Sequence, residues 1–340
     1  MVTASVIILN YNGGSSLSEC LEKLYHQKLS FNVEIIIVDN ASSDNSLELS
    51  KQIKNSNKHV LSTKYYALST NLGFAAGNNY GIRHSSGKYI TLINNDCLPE
   101  SSWLSQLINT IHSDPNIFSV TSKIKKYPET LNQIQNAGSL VFQDGFGRDI
   151  GAIVSLDHQQ SYEIDNGQFD EPSEVYSGCG AAILFSKKIL DTIEYLNENF
   201  FMYYEDTEIC ERARLAGYQN SYCPTAIVYH HHAKSSNEWS PFFIYHSERG
   251  RLLHLLYHFP ISVYFAQLSK FSIKSILRFA KSLVTQKNIL KNWQYIKIVF
   301  DQKIHLLKNL QIRHNFSKIY PPANRQIEYN KILSGYWYFK

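Results

Sequence analysis

ITLINND, residues Ile90–Asp96, is the stretch on which the fold turns. An apolar run climbs to Leu92 and Ile93, then stops on two amides and a carboxylate. A turn explains such an ending, because Asn and Asp make turns through their own side chains. A metal or phosphate site explains it equally well. The neighbouring segments repeat the pattern. SVIILN (Ser5–Asn10) and VEIIIVDN (Val33–Asn40) are short, β-branched, apolar runs that read as buried strands and end on polar groups. Between strands lie helical patterns. SSLSECLEKLYHQ puts Leu17, Leu21, Leu24 and Tyr25 on one face, with Ser16 and Glu19 spaced as a capping box. ASSDNSLELSKQI restarts a helix from a Ser or Asp cap. KHVLS reads as a weak third strand, and FAAGNNYGIRH as helical despite its glycines. SWLSQLINTIH aligns Trp103, Leu107 and Ile111, and FSVTSKI closes the series. Alternating β and α predicts an α/β fold, a Rossmann-like, mainly parallel sheet with helices on both faces. Ligands of such sheets sit at the carboxyl ends of the strands. Asn10–Tyr11–Asn12, Asp39–Asn40 and Asn94–Asn95–Asp96 all fall there.

Beyond Lys125 the pattern loosens. GSLVFQDGFGRDIG and DNGQFDEP read as loops and short hairpins. SEVYSGCGAAILFSKKIL returns to a strand and then a helix. ENFFMYYEDTEICERARLAGY is a loop feeding a helix that stops at Gly217, and YCPTAIVYHHH is a strand ending on three histidines. After Pro241 the chain is almost all helix-like, basic and aromatic. The expected division is therefore 1–240 and 241–340. The net charge of +4 conceals that division. Residues 241–340 carry 16 Lys+Arg against three acids, Glu248, Asp301 and Glu328, a net +13 that leaves −9 for the first 240.

The five cysteines are scattered and include no C-x-x-C pair, which argues against a disulfide framework or zinc cluster and for a reducing compartment. MVTASVIILN has no basic lead, and no stretch reaches the roughly 18 apolar residues of a membrane span. The expected location is cytoplasmic.

Each polar cluster has a bland reading beside a chemical one. VDNASSD is either a strand end with a helix cap or a carboxylate, Asp39, that accepts a nucleobase N–H. NLGFAAGNNYGIRHSSG allows close backbone approach to a ligand, but matches neither G-x-G-x-x-G nor the P-loop, which disfavours hydride transfer and P-loop kinase chemistry. Asp96 is a ligand type that Mg²⁺ or Mn²⁺ takes, shared with substrate phosphates. Of His230–His232 at most one or two suit one ion; the rest read as a solvated loop. In YYEDTEIC, Glu205 and Asp206 stand at a helix start, where acids often only cap. Their frame of five aromatic or apolar residues, Phe200–Tyr204, also suits a carboxylate tuned for general-base work.

Taken in order, VIILNYN, VDNASSD, NLGFAAGNN, YITLINND, SGCGAAILF, FFMYYEDTEICERARLAGY and AIVYHH resemble the family-2 inverting glycosyltransferases with the GT-A fold. The resemblance spans about the first 240 residues and is nearest to the rhamnosyltransferase-like branch that builds bacterial surface polysaccharides. It implies a nucleotide-diphosphate sugar donor, with rhamnose as the favoured sugar, and a glycan or lipid-linked oligosaccharide acceptor. It further implies Asp206 as catalytic base and Glu205 as an acceptor contact. It implies, too, that Tyr11, Asn12, Asp39, Asn71, Gly73, Asn94 and Asn95 line the nucleotide-sugar pocket. Asp96 matches the last acid of a D-x-D-type metal motif and Asn94 replaces the first, so Mn²⁺ or Mg²⁺ rests on Asp96, the diphosphate and a histidine, His230 or its neighbour His231. Arg212 is implied to be structural, paired with a nearby acid. The competing class is a non-catalytic nucleotide-sugar or carbohydrate-binding module on the same fold. A nucleotidyltransferase is disfavoured because NYNGGSSL lacks a basic residue.

FSIKSILRFAKSLV interleaves apolar residues at helical spacing with Lys270, Lys274, Arg278 and Lys281. It reads either as an anionic-membrane-surface helix or as an ordinary helix packed on the catalytic part. No nucleic-acid-binding motif accompanies it.

Overall fold

In a computed structural model the described residues are 1–154, 160–231 and 239–338. Four parallel strands form the heart of the sheet: β1 (Ala4–Asn10), β2 (Val33–Asp39), β3 (Val60–Ala67) and β4 (Tyr89–Asn94). Helices α1 (Ser16–Tyr25), α2 (Ser46–Lys51) and α3 (Gly73–Arg83) connect them. The chain continues through β5 (Cys97–Pro99), α4 (Trp103–His112) and β6 (Ile117–Lys126). Short strands follow, β7 (Gln133–Asn136), β8 (Ser139–Val141), β9 (Gly147–Asp149), β10 (Ala152–Val154), β11 (Gln160–Ile164) and β12 (Ser173–Glu174). Then come β13 (Ala182–Ser186), α5 (Lys187–Ile193), α6 (Glu205–Leu215) and β14 (Gln219–His230). The strand order is β10-β11-β7-β6-β13-β4-β1-β2-β3, with β5 and β12 pairing to β14.

The apolar runs of β1 and β2 are continuous because both faces of the sheet are covered. Val6, Ile8, Ile35 and Ile37 point to one face, against Leu17, Leu21 and Leu24 of α1 and Trp103 and Leu107 of α4. Ile7, Ile36 and Val38 point to the other, against Ala75 and Ile82 of α3 and Ile209 and Ala213 of α6. The α3 glycines have a packing reason: a Cβ on Gly77 would strike Leu9, and one on Gly81 would strike Ile7. The helix lies so close to the sheet that only hydrogen fits there.

The expected Rossmann-like, mainly parallel core is present, with β13 running antiparallel to both β4 and β6. Two details depart from the sequence reading. The capping box is not formed: α1 begins at Ser16 behind Ser15, with no side-chain cap bond. The third strand is longer than KHVLS and runs to Ala67, carried by its pairing with β2.

The C-terminal part is α7 (Pro241–His258), α8 (Ile261–Thr285), α9 (Ile289–Ile304), α10 (Leu306–Phe316) and α11 (Ala323–Leu333). Its core is shared with the sheet region: Tyr176, Phe200 and Leu215 pack with Leu252, Leu256, Phe316 and Trp337. No described helix is long and apolar enough to cross a membrane.

Candidate active site at the carboxyl rim of the sheet

The register of β1 aligns Asn10 with Asp39 and Leu9 with Asn94, so three strand ends lie side by side. A polar ladder ties them together. Asn10 Nδ2 donates to Asp39 Oδ1 at 2.7 Å and to Ser46 Oγ at 2.8 Å. Asn10 Oδ1 accepts from Asn95 Nδ2 at 2.8 Å. Ser42 donates to Asp39 through both Oγ and its backbone N–H. Asn12 holds the first loop to the second: its N–H donates to Ser42 Oγ, and its Oδ1 accepts from Ser43 N–H. Asn40 does the same for the third, donating to Asn71 Oδ1 at 2.9 Å and accepting from Leu72 N–H at 2.8 Å. Asp39, Asn12, Asn71 and Asn95 are thus engaged with one another's loops, while the side chains of Tyr11 and Asn71 remain exposed. Asn94 ends β4 and is half-buried, its N–H donating to Ala181 O.

Gly73 sits at φ +82°, and Phe74 N–H donates to Phe201 O at 2.6 Å. A Cβ on Gly73 would collide with Phe201, so this glycine joins the NLGFAAG loop to the FFMYYED loop. Its identity is accounted for by packing within the chain.

Asp96, Cys97 and His230 form a cluster of metal-ligating types whose donor atoms lie within 4.8 Å of one another. His230 Nε2 is 3.1 Å from Asp96 Oδ1. On its other side Nδ1 is 3.0 Å from Gln135 Oε1. The Gln135 amide oxygen holds Nδ1 and orients the ring so that Nε2 faces Asp96, the placement of a ligating histidine with an outer-shell partner. Burial alone would raise Asp96, but His230's hydrogen bond and charge outweigh it and hold the carboxyl below its ordinary value. Burial and then the Asp96 charge push the Cys97 thiol well up, and Sγ donates to Ala181 O, so Cys97 is a poor ligand. The remaining pair, one carboxylate oxygen and one imidazole nitrogen, fits a hard-to-borderline cation such as Mn²⁺ or Mg²⁺ that completes its shell with phosphate and water. Of the two histidines left open, His230 is the one beside Asp96. The His231 ring lies tilted against Tyr127, with centroids 4.0 Å apart. His232 lies outside the described residues.

Tyr203 and Tyr204 both adopt left-handed backbone, φ +70° and +72°, immediately before α6. Such strain in bulky residues persists only where surroundings enforce it. Tyr204 OH donates to Gly145 O and accepts from Gly147 N–H, anchoring the bend to the β8–β9 hairpin. The bend presents two adjacent acids differently. Glu205 is buried, its Oε2 has no hydrogen-bond partner, and burial followed by the Asp206 charge raises it well above a normal carboxyl. Asp206 is partly exposed. Burial raises its pKa too, opposed by N–H bonds from Gly180 at 2.8 Å and Thr207 at 2.7 Å that fix both oxygens.

One short loop links the two halves of the site. Gly180 N–H holds Asp206, while the next carbonyl, Ala181 O, accepts from Asn94 N–H and Cys97 Sγ at the end of β4. Behind Asp206, Glu208 and Arg212 pair within α6. Arg212 donates to Glu208 Oε2 at 2.6 Å and to the carbonyls of Ile193, Glu194 and Tyr195. His258 of α7 sits 2.8 Å from Glu208 Oε1. Sequence reasoning missed Gln135, His258 and the Gly180 N–H. Gln135 lies 95 residues from the histidine it orients, and no local pattern marks such a partner.

Residues 5–194 match the family described as Glycosyl transferase family 2. The low-salt glycan biosynthesis hexosyltransferase Agl10 of Haloferax volcanii is 26% identical over 309 residues, covering 89% of this chain and 87% of the relative. A poly-β-1,6-N-acetyl-D-glucosamine synthase of Staphylococcus aureus is 25% identical over 63% of this chain and 45% of its own length. Among solved structures, S. aureus TarS 1–349 in complex with UDP-GlcNAc superposes with a TM-score of 0.57 at 17% identity, covering 98% of this chain and 91% of that one. The mannosyltransferase PcManGT of Pyrobaculum calidifontis, in complex with GDP-Man and Mn²⁺, gives 0.51 at 15% identity over 88% and 86%. The fold is that of the GT-A glycosyltransferases. The chain belongs to glycosyl transferase family 2 and is a glycosyltransferase.

Proposed function

We propose that this chain moves a hexosyl unit from a nucleotide-diphosphate sugar to a hydroxyl of a glycan or lipid-linked acceptor, with inversion, in surface-polysaccharide synthesis. The observation that carries the proposal is the Gly180–Ala181 bridge. It sets a partly exposed, oriented carboxylate, Asp206, against the strand end that presents Asp96 and His230. In this reading Asp206 takes the proton from the acceptor hydroxyl as its oxygen attacks the anomeric carbon from the face opposite the nucleotide. The carbon–oxygen bond to the diphosphate breaks, and the nucleoside diphosphate leaves with that electron pair. One displacement inverts the centre, so no Ser or Cys nucleophile is required. Glu205, buried beside Asp206, is assigned the contact to the acceptor hydroxyl. Tyr11 and Asn71 contact the nucleotide from the exposed rim, and Asp39, Asn12, Gly73, Asn94 and Asn95 shape the loops around it. Asp96 and His230 would hold Mn²⁺ or Mg²⁺, which when bound neutralises charge on the departing diphosphate. We assign residues 1–240 to catalysis and 241–340 to acceptor or membrane-surface association, at the cytoplasmic side of the membrane.

Rhamnose is the donor sugar that the branch resemblance supports; UDP- and GDP-linked hexoses are supported by the complexes of TarS and PcManGT. Calorimetry with dTDP-rhamnose, UDP-GlcNAc and GDP-mannose, each with and without Mn²⁺, tests the proposal. Binding of one donor that strengthens with the cation is expected. Equal affinity with and without it would remove Asp96 and His230 from the donor site. The Gln135→Ala variant is expected to lose about 10–100-fold in Mn²⁺ affinity, read by titration of the cation, because His230 loses the group that orients its ring.

A further inference from the structure

Helices α8 and α9 pack against each other and against α7. Tyr264, Phe271, Ser275 and Ser282 of α8 are buried, spaced 7, 4 and 7 residues apart so that they fall on one line. The opposite side of the helix carries Ile273, Ile276, Leu277 and Val284, each more than half exposed. The connection continues this apolar surface through Leu283 and Leu290, and Trp293 follows one turn later. Lys270, Lys274 and Lys281 line one flank of that face at helical spacing, and Lys287 and Lys291 bracket the α8–α9 connection. From 261 to 300 there are seven Lys or Arg and no Asp or Glu.

An apolar face of this extent is costly in water unless something covers it. A second copy of the same surface is a poor cover, because it would bring seven cations against seven. A bilayer with anionic headgroups meets both demands at once. The Ile, Leu and Val side chains enter the acyl boundary, Trp293 suits the interfacial layer, and the lysine stems lie along the apolar face with their ammonium groups at the phosphates. No described helix is long and apolar enough to cross.

We infer that the outer face of α8 and the α8–α9 tip form a docking surface that lays the protein on an anionic bilayer. The inference rests on the proposed reading only for its purpose, delivery of a membrane-anchored acceptor; vesicle binding is measured separately from turnover. The whole chain is mixed with phosphatidylcholine vesicles with or without phosphatidylglycerol and sedimented at low and high salt. Binding to the phosphatidylglycerol vesicles alone, weakened by salt, is expected. Lys274→Gln and Lys281→Gln are expected to weaken it about fivefold each, and the pair Ile276→Glu with Leu277→Glu to abolish it. All four positions are exposed, and nucleotide-sugar binding by each variant confirms an intact fold. No sedimentation with phosphatidylglycerol vesicles, or equal sedimentation with neutral ones, would overturn the inference. So would a dimer by light scattering that Ile276→Glu with Leu277→Glu dissolves while vesicle binding is unchanged.

Discussion

Asp206→Asn is expected to bind donor as the parent does and to lose about 10²–10⁴-fold in turnover, the usual contribution of a positioned general base. The substitution keeps size and shape. The amide can still accept the Gly180 N–H through its oxygen, so the loop to β4 is preserved. What disappears is a lone pair able to take the acceptor's proton. The pH profile carries the same signature. Burial raises the Asp206 pKa, so activity falls as pH drops through that raised value, at higher pH than an ordinary aspartate would give. Turnover within about threefold of the parent would remove Asp206 from the proton transfer.

Arg212→Ala is expected to destabilise the fold by roughly 3–5 kcal/mol, because it strands a buried carboxylate. Arg212 holds both Glu208 oxygens and three carbonyls that end α5, and all of these are buried or partly buried. Without it, among the described residues, His258 is the side chain left facing Glu208. Burial acts to raise Glu208, but Arg212 and His258 outweigh it and lower its pKa from 4.5 to about 2. Such a group stabilises the fold above the unfolded value and loses that stabilisation as pH falls from about 4.5 towards 2. Burial lowers His258 from 6.5 to about 4, so the unfolded chain also binds this proton first, and stability declines from pH 6.5 downwards. Both slopes have the same sign. Denaturant unfolding across that range is expected to show a steady loss towards acid; stability flat from pH 6.5 to 4 would contradict the buried neutral histidine.

The sheet was readable because burial on both faces writes itself as unbroken apolar runs, and Val33–Val38 admits little else. The rim was readable for a related reason: polar groups at three strand ends need a cause. Its internal economy was not. Sequence reads Asn12 and Asn71 as ligand contacts and gives no sign that their amides also tie one loop to the next. Gly73 is read from sequence as allowing close approach of a ligand, and the close approach of Phe201, which a Cβ there would strike, is a packing demand that sequence does not show. The choice between His230 and His231 is a single residue of register in β14, which local sequence does not fix; in the structure His230 pairs with Cys97 of β5. The contact of His258 with Glu208 joins residues 50 apart, and helical periodicity in α7 says only that the histidine lies inward. For α8 the sequence left two readings open. The structure packs one stripe and leaves the opposite face bare.

The most direct test of the central claim is nucleoside diphosphate release from a panel of nucleotide sugars with Mn²⁺, the parent chain run beside Asp206→Asn. Release from one donor, dependent on the cation and lost in the variant, is the predicted result. A donor that binds tightly but is never turned over, with or without glycan acceptors, would contradict it and leave a binding module on a transferase fold.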